Sequence, residues 1–383
     1  MKQKIDLKIP FNKPTHVGTE KNLVLEAIEN ESLAGNNDFT KKCHTFFKDS
    51  YGFENSFLTH SCSLALEMAA SLCNLKPTDE VIVPSYAYVT DASSFIKVET
   101  KVVFADSRSE SPHISYISIR EKITSKTKVL LIVHYAGVSC DMEEILKIVK
   151  EFNLILIEDC AQAIHAKYKD TYLGTFGHMS TFSFHETKNI QCGEGGLLVI
   201  NDSKLLDQAI QIWNEGTNKN HFIKGEVSSY EWTTIGSSYQ PSELTASFLY
   251  SQLKKVNVIS DKRKIKWTFY QRNLKRFEIE NKIELPVIND ESYNAHIFYI
   301  KLKNKNEREK LQLFLRGNDI ETTFHFLPLH KSRYWLTFNE NETLKNAENW
   351  FDCLLRLPLY DSINEEDQKR VIKLITAFFN DTE

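Results

Sequence analysis

The chain has 383 residues, 42% apolar and 26% charged, so it can bury the core of an ordinary globular protein with two or three domains. Its 47 Lys and Arg against 51 Asp and Glu give a formal net charge of −4, which argues against a general binder of nucleic acids or anionic membranes. The longest apolar runs are too short to span a bilayer and no apolar signal region is found at the start, so we expect a cytoplasmic protein.

Seven cysteines are scattered along the chain, and no two of them form a Cys-x-x-Cys pair. An odd number with irregular spacing predicts neither a disulfide framework nor a zinc site. We expect no bound metal.

Short apolar, β-branched runs alternate with helical patterns between residues 57 and 200. The predicted strands are 57–58, 80–83, 101–105, 128–133, 154–157, 179–184 and 197–200. The predicted helices between them are 64–75, 87–96, 117–123 and 142–152. This alternation is typical of an α/β fold with a mostly parallel sheet covered by helices on both faces. Ligands bind beyond the carboxyl ends of such strands, so the loops that follow them are the candidate sites.

The pattern changes after residue 201. Helices are predicted at 204–215, 241–256, 262–280, 308–316 and 365–379, a connector at 282–289, and strands at 295–302 and 320–326. We therefore predict a large domain of residues 1–260 and a smaller C-terminal α+β domain of residues 261–383.

The most informative motif follows the sixth predicted strand and reads Ser183-Phe-His-Glu-Thr-Lys188, with three glycines in four positions at 193–196. A lysine at the end of a strand in an apolar sheet would be buried, which lowers its pKa and frees the amine to attack a carbonyl group. A hairpin loop with an exposed lysine is the alternative, and this motif alone does not decide between them.

Three other strand ends carry polar or aromatic side chains. Asp159 follows the apolar strand at 154–157, where it could hold a protonated heterocycle nitrogen or simply cap a helix. Ser63 lies at the start of a helix, where amides and hydroxyls can hold a phosphate. Tyr86 and Tyr88 follow another strand and could stack on a planar ring or pack in the core.

These parts fit one cofactor. Pyridoxal 5′-phosphate needs a lysine that forms an imine, an acid beside its pyridine nitrogen and an anion site for its phosphate. Each part occurs on a different strand end, so the combination predicts this cofactor although each motif is weak by itself.

The chain resembles the DegT/StrS family of nucleotide-sugar aminotransferases. The resemblance extends from Ile9-Pro-Phe-Asn12 to the final helix and includes Glu158-Asp159-x-Ala-Gln162, Val133-His-Tyr-Ala-Gly137, Glu215-Gly-Thr-Asn218, Asn294-Ala-His296 and Leu355-Arg-Leu-Pro-Leu359. It implies the fold of the type I pyridoxal-phosphate-dependent transferases, with a seven-stranded sheet, and a homodimer in which each active site is completed by the other subunit.

The resemblance also implies the roles of the site residues. Lys188 is the Schiff-base lysine that moves the proton, Asp159 pairs with the pyridine nitrogen, and His185 lines the site near the sugar. The other expected cofactor contacts are Gln162 near the ring hydroxyl, Tyr88 on the ring face, and Ser63, the backbone of Leu64 and Ser183 at the phosphate. Ser238 stands where many relatives have an asparagine that reaches the partner subunit's phosphate.

A nucleotide sugar must also bind to this acidic chain. Lys219 and Lys224 are the local cations after Glu215-Gly-Thr-Asn218, although a solvated loop would explain them equally well. His325 and His330 in the C-terminal domain are expected to hydrogen-bond sugar or phosphate.

The expected reaction transfers the amino group of L-glutamate to dTDP-4-keto-6-deoxy-D-glucose and gives dTDP-4-amino-4,6-dideoxy-D-galactose. Amination at C3 of a keto sugar and a non-catalytic nucleotide-sugar-binding protein are the alternatives. The second is disfavoured because Lys188, Asp159 and Gln162 are all present.

Overall fold

The computed structural model of the chain describes residues 8–288 and 292–380. Its centre is a seven-stranded sheet in the spatial order β1-β9-β8-β5-β4-β2-β3. The strands are β1 (Ser56–Thr59), β2 (Glu80–Pro84), β3 (Lys101–Ala105), β4 (Thr127–Val133), β5 (Ile155–Asp159), β8 (Met179–Ser183) and β9 (Gly196–Ile200). Two short strands, β6 (Lys167–Tyr168) and β7 (Thr171–Tyr172), pair separately.

In this sheet β9 pairs antiparallel with both β1 and β8, whereas β2, β3, β4, β5 and β8 pair with one another in parallel. The predicted α/β fold with a mostly parallel seven-stranded sheet is therefore confirmed. Each of the seven predicted strands occurs in it.

Helices cover both faces of the sheet. They are α1 (Glu20–Glu29), α2 (Asp38–Tyr51), α3 (Cys62–Leu72), α4 (Val89–Lys97), α5 (Tyr116–Lys122), α6 (Met142–Phe152), α7 (Leu206–Trp213), α8 (Lys219–Ile223) and α9 (Glu243–Leu253). In β4, Val129 and Leu131 pack in the cluster that contains α3, α4 and α7, whereas Leu130 and Ile132 pack with α5 and α6. Alternate side chains of a strand point to opposite faces, so burial on both sides explains the continuously apolar strands.

The C-terminal lobe begins with the long helix α10 (Val256–Ile279). It continues with β10 (Tyr299–Lys301), α11 (Lys305–Gly317), α12 (Arg333–Phe338), α13 (Lys345–Cys353), β11 (Leu354–Arg356) and α14 (Glu365–Asn380), and β10 pairs antiparallel with β11. The predicted boundary between residues 260 and 261 falls inside α10. The separate core of this lobe starts at Trp267 and also contains Ile9, so the N-terminal segment packs here.

Two predicted C-terminal strands differ from the structure. Residues 320–326 form no strand and make only isolated bridges, Ile320 to Ile9 and Thr323 to Arg356. The predicted strand 295–302 is reduced to β10, because the carbonyls of Ala295 and its two successors accept hydrogen bonds from side chains of α10.

Within the described part of the chain, no helix combines the length and the apolar character that a bilayer crossing requires.

Candidate active site

A cavity of about 630 Å³ lies between the carboxyl edge of the sheet and the C-terminal lobe. Eight of the predicted site residues line it: Ser63, Tyr88, Asp159, Gln162, Ser183, His185, Lys188 and His325. The ends of β2, β5 and β8 meet there because they run in parallel. Five predicted residues do not line this cavity, namely Leu64, Ser238, Lys219, Lys224 and His330.

Lys188 follows β8 through a tight turn in which its N–H donates to the carbonyl of His185 at 2.9 Å. Burial lowers the pKa of Lys188, and the nearby carboxylate of Asp159 opposes part of this effect. A lower pKa increases the fraction of neutral amine, which is the form that attacks a carbonyl carbon. The lysine therefore has the environment of a nucleophile and not that of a solvated surface charge.

Asp159 is the last residue of β5 and is 4% exposed. Its Oδ1 accepts a hydrogen bond from the N–H of Ala161 at 2.7 Å. A carboxylate fixed at a strand end in a lined cavity can hold a protonated ring nitrogen by charge and by hydrogen bonding.

Asp91 lies beside Asp159 and was not expected in the site. Its Oδ2 accepts from the N–H of Tyr88 at 3.1 Å, and its Oδ1 is buried without a conventional hydrogen-bond partner among the described residues. Burial and the negative charge of Asp159 raise the pKa of Asp91 well above its usual range. Asp91 therefore retains its proton to a higher pH than an ordinary aspartate does. The sequence signal was only an acidic residue in the first turn of α4, where capping is the ordinary explanation.

Glu158, the neighbour of Asp159, fixes the end of β5. Its buried carboxylate accepts hydrogen bonds from the N–H groups of Gly174, Phe176 and Gly177 at 3.0, 2.8 and 2.7 Å, and contacts Nε2 of His134 at 3.0 Å. His134 Nδ1 accepts from the N–H of Cys140, so Nε2 carries the proton. His134, Glu158 and Cys160 are close enough to surround a metal, but these hydrogen bonds already engage both ring nitrogens of His134 and both carboxylate oxygens of Glu158.

The N-terminus of α3 lies at the wall of the cavity, where phosphate binding is predicted. Ser61 caps the helix, and its Oγ accepts from the N–H of Leu64 at 3.3 Å. This amide is therefore directed to the cap, and Leu64 lies outside the lining, whereas Ser61 and Ser63 line the cavity. A Cβ on Gly196 would lie 2.3 Å from the carbonyl carbon of Ser61, so β9 approaches the helix end as closely as only glycine allows.

Gln162 and Ser183 are both held by local hydrogen bonds. Gln162 Oε1 accepts from the N–H of Ala136 at 2.6 Å, and Ser183 Oγ accepts from the N–H of His185 at 3.4 Å. These contacts fix the two side chains at the walls of the cavity.

Tyr88 and His185 lie at the mouth of the cavity. The Tyr88 side chain is 56% exposed, and its ring centroid is 6.3 Å from that of Phe326. His185 Nδ1 is 2.9 Å from Thr187 Oγ1, and its Nε2 is 3.5 Å from Glu194.

The C-terminal lobe contributes His296, His325 and Arg356 to the cavity. Burial is the main reason that the pKa of each histidine is well below its usual range. Of these three residues only His325 was predicted. His296 and Arg356 occur in motifs of the family resemblance, Asn294-Ala-His296 and Leu355-Arg-Leu-Pro-Leu359, but nothing in those motifs indicates that their side chains reach Lys188.

His330 has a different position from the one expected for a substrate ligand. It is fully buried, with Nδ1 2.6 Å from Ser85 Oγ and Nε2 3.1 Å from Glu348 Oε1. Burial lowers its pKa, so the neutral ring connects β2 to α13. His330 therefore joins the two lobes and does not face the cavity.

Lys219, Lys224 and Ser238 lie on the segment between α7 and α9, outside this chain's own cavity. Lys224 is exposed, and among the described residues its ion pair is a distant one, 4.0 Å to Glu226. Within one subunit the structure does not bring these residues to Lys188.

The sequence and the structure were compared with known proteins. The family model described as the DegT/DnrJ/EryC1/StrS aminotransferase family matches residues 15–376. The chain belongs to this family. GDP-perosamine synthase of Escherichia coli O157:H7 is 30% identical over 374 residues, which cover 97% of this chain and 99% of that enzyme.

Two solved structures share the fold. PseC of Helicobacter pylori, an aminotransferase involved in the biosynthesis of pseudoaminic acid, is 22% identical with a TM-score of 0.89 over 97% of this chain and 99% of that chain. Spr1654 of Streptococcus pneumoniae, solved in PLP and PMP forms, is 21% identical in its PMP form with a TM-score of 0.90 over 98% of this chain and 100% of that chain.

The chain is a pyridoxal-phosphate-dependent sugar aminotransferase that serves amino-sugar biosynthesis from nucleotide sugars. The predictions of the family, the enzyme class and the cofactor are thus confirmed. The cavity fits this cofactor, because a lysine of lowered pKa, a fixed carboxylate and a helix N-terminus line the same space. When bound, the cofactor supplies a ring that accepts electrons from the reacting carbon.

Proposed function

We propose that the enzyme transfers the amino group of L-glutamate to C4 of dTDP-4-keto-6-deoxy-D-glucose and forms dTDP-4-amino-4,6-dideoxy-D-galactose. The observation that supports transamination is Lys188, whose buried amine faces the same cavity as Asp159. The nature of the sugar rests on the sequence resemblance, and the family match is consistent with it.

In this proposal each residue has one task. Lys188 would hold the cofactor through its Nζ, and the same amine would accept and return the proton at the reacting carbon. Asp159 would hold the ring nitrogen in its protonated form, and Asp91 lies beside Asp159. Tyr88 covers one ring face, and the cap of α3 with Ser63 and Ser183 holds the phosphate.

The nucleotide is the least constrained part of the substrate. A relative at 30% identity acts, by its name, in the synthesis of GDP-perosamine, so a GDP-linked keto sugar is the second candidate acceptor. Amination at C3 is a further alternative. For the dTDP proposal, Lys219 and Lys224 remain candidate contacts to the diphosphate.

We also propose that the enzyme works as a homodimer with shared sites. Lys219, Lys224 and Ser238 lie outside their own chain's cavity, so a role in the reaction requires a neighbouring subunit. The same segment exposes large apolar side chains, with Ile223 70%, Trp232 78% and Ile235 83% exposed. Exposed apolar side chains clustered on one segment are typical of a protein interface. The cytoplasmic location stays a prediction from the sequence.

The test is a substrate panel. The purified holoenzyme is incubated with L-glutamate and with dTDP-, UDP- and GDP-linked 4-keto-6-deoxy sugars and a dTDP-3-keto isomer, and the products are identified by mass spectrometry and NMR. We expect 2-oxoglutarate and the axial 4-amino sugar from the dTDP substrate. Preferential turnover of the GDP sugar or of the 3-keto isomer would replace the proposed acceptor.

The role of Lys188 is tested in the same assay. Lys188→Ala should reduce turnover to background and remove the borohydride-sensitive absorbance of the bound cofactor, because no amine remains to bond it. Lys204→Ala, which changes an exposed lysine far from the cavity, is the matched control and should retain both signals. Substantial transamination by Lys188→Ala would refute the assignment.

A further inference from the structure

His296 directs a hydrogen-bonding atom into the Lys188 cavity. Its side chain lines the cavity, although the residue is only 6% exposed. Its Nδ1 lies 2.9 Å from Oδ1 of Asn189, the residue that follows Lys188. Among the residues that the structure describes, no group forms a hydrogen bond with the other ring nitrogen, Nε2. Nε2 is therefore available to a ligand in the cavity.

The hydrogen bonds of Asn189 fix the tautomer of His296. Asn189 Nδ2 donates to the carbonyl of Asn294 at 2.8 Å, so its Oδ1 is the atom that faces the histidine. An amide oxygen only accepts hydrogen bonds, and therefore Nδ1 of His296 carries the proton. In a neutral imidazole the other nitrogen then has a free lone pair. Nε2 is an acceptor for this reason.

The imidazole of His296 stays neutral at neutral pH. Burial, and after it the charge of Lys188, lower the pKa of His296 well below its usual range. Such a ring takes up no proton near pH 7, but its lone pair still accepts a hydrogen bond. The effect of Lys188 on this pKa also means that the ring lies near the reacting amine.

Asn294 holds this acceptor in place. Its Nδ2 donates to the carbonyls of Gln162 and Ile164 at 2.8 and 2.9 Å, and its Oδ1 accepts from the N–H of His296 at 3.1 Å. A Cβ on Gly137 would lie 1.7 Å from that oxygen, so only glycine leaves room for it. The protein therefore sets the direction of Nε2 before a ligand binds, which lowers the entropic cost of the contact.

The chemistry of the two substrates favours the sugar as the partner of Nε2. A lone pair repels the carboxylates of glutamate, and the only hydrogen-bond donor of glutamate is the amine that reacts. A keto sugar offers hydroxyl donors. In a 4-keto-6-deoxyhexose the carbons beside C4 are C3, which carries a hydroxyl, and C5, which carries a methyl group. The C3 hydroxyl is therefore the donor nearest to the reacting carbon.

We propose that Nε2 of His296 accepts a hydrogen bond from the C3 hydroxyl of the keto sugar and so selects acceptors that carry this group. The contact rests on the proposed amination at C4. A buried acceptor that is left without a donor is unfavourable. A site built to bind a hydroxyl therefore discriminates against the analogue that lacks it.

The test compares two acceptors in His296→Phe, which keeps a planar ring and removes the lone pair. With L-glutamate as the donor, kcat/KM is measured for a 4-keto-6-deoxy sugar and for its 3-deoxy analogue, each linked to dTDP and to GDP. The wild type should prefer the hydroxylated sugar, and His296→Phe should reduce this preference by about 10- to 100-fold. His296→Gln offers an amide oxygen and should recover part of the preference. A merely structural defect would slow both acceptors alike and leave their ratio unchanged.

A spectroscopic measurement reports the same contact without turnover. In holoenzyme with ¹⁵N-labelled histidine, the Nε2 resonance of His296 is assigned by its absence in His296→Phe. We expect the chemical shift of a nitrogen without a proton. The resonance should move when the dTDP-linked 4-amino sugar binds and should stay in place with its 3-deoxy analogue.

His16→Phe is the control, because the His16 side chain is 69% exposed, and it should keep the wild-type preference. An unchanged preference in His296→Phe, equal turnover of the two acceptors by the wild type, or a protonated Nε2 would overturn the contact alone. A defect of His296→Phe that is confined to the glutamate half-reaction would also overturn it. A wild type that turns over neither 4-keto sugar would overturn the proposed amination at C4 together with the contact.

Discussion

The pKa of Asp91 shows how strongly a single residue in this site depends on its surroundings. In the sequence it is an acidic residue in the first turn of a helix, and its Oδ2 does accept the N–H of Tyr88 there. The fold adds burial and the adjacent charge of Asp159, and both raise its pKa. Two buried carboxyl groups side by side do not both ionise, so one of them retains a proton.

A substitution distinguishes the protonated from the ionised form of Asp91. Asp91→Asn keeps an oxygen that accepts from the N–H of Tyr88 and carries no charge beside Asp159, as the protonated carboxyl does. The pKa of Asp91 is raised in the folded state. Above pH 3.8, the usual pKa of an aspartate and that of the unfolded state, Asp91 therefore lowers the free energy of unfolding, because only the unfolded state then releases the proton freely. We therefore expect the free energy of unfolding of Asp91→Asn at pH 7 to equal or exceed that of the wild type, measured by urea titration.

Asp91→Ala supplies the contrast. It leaves the Tyr88 amide unpaired, and the expected loss is about 1–3 kcal/mol. A large loss of stability in Asp91→Asn would mean that Asp91 is ionised in the native state.

At the scale of elements, the proposed phosphate site depends on how closely β9 and α3 approach. Gly196 opens β9 and pairs with Thr59 of β1, and its backbone lies against Ser61 and Cys62 at the start of α3. Glycine is rare in this chain, with 13 in 383 residues, so the cluster at 193–196 stood out in the sequence. The structure explains Gly196 by this contact and Gly193 by its positive φ of 78°.

We expect Gly196→Ala to weaken cofactor binding. Its methyl group would lie 2.3 to 2.5 Å from backbone atoms of Ser61 and Cys62, so the cap of α3 must move. Overpacking typically costs about 1–3 kcal/mol, which corresponds to an increase of about 5- to 150-fold in the dissociation constant of pyridoxal phosphate. The measurement is a cofactor titration of the apoenzyme followed by fluorescence.

Gly193→Asn is the control for this change. Gly193 has no neighbouring atom in the way of a Cβ, and asparagine tolerates a positive φ. Equal cofactor affinity in both variants would show that the close approach at Gly196 does not position the anion site.

At the scale of the whole molecule, the two lobes share packing and hydrogen bonds. Trp350 and Leu354 of the C-terminal lobe pack in the same core cluster as β2 and β4. Asp106 accepts from the N–H groups of Asn346 and Ala347 at 3.1 and 2.8 Å, and His330 bonds Ser85. The cavity therefore lies between lobes that are tied together on one side.

Buried neutral histidines make this architecture sensitive to acid. Burial lowers the pKa of six of them, His44, His113, His165, His296, His325 and His330. As the pH falls, each of these histidines binds a proton in the unfolded state before it does so in the folded state. Their contribution to the free energy of unfolding is therefore complete above pH 6.5 and is lost as the pH falls towards their folded-state pKa. For His113, with a folded-state pKa of about 4, the loss between pH 7 and pH 5 is about 2 kcal/mol.

We expect the thermal unfolding temperature of the enzyme to be lower at pH 5 than at pH 7, with a smaller difference in His113→Asn. Exposed His16 is the control, and His16→Asn should keep the wild-type difference. Asp91 acts in the opposite direction, because acid favours its protonated form. An unfolding temperature that is unchanged or higher at pH 5 would mean that these histidines are charged in the native state.

Local patterns in the sequence determined the sheet and the edge where the chemistry lies. Apolar runs form strands by their own periodicity, and parallel strands bring their carboxyl ends to one edge. For this reason the sequence alone predicts one site that contains Lys188, Asp159, Gln162 and Ser63. The sequence pattern of residues 320–326 predicted a strand that the structure does not contain. A strand also needs a neighbouring strand to pair with, and β10 and β11 pair with each other.

Only the tertiary structure determined which side chains of the C-terminal lobe face the carboxyl edge of the sheet. Arg356 and His296 are more than 100 residues from Lys188 in sequence, and no periodicity specifies which C-terminal side chains reach it. The structure also places His330 in a buried contact with Ser85, away from the cavity. It places the carboxylate of Asp159 beside Asp91, which raises the pKa of Asp91. Burial and the sign of neighbouring charges depend on the packing of distant segments, so the charge state of this site follows from the assembled fold.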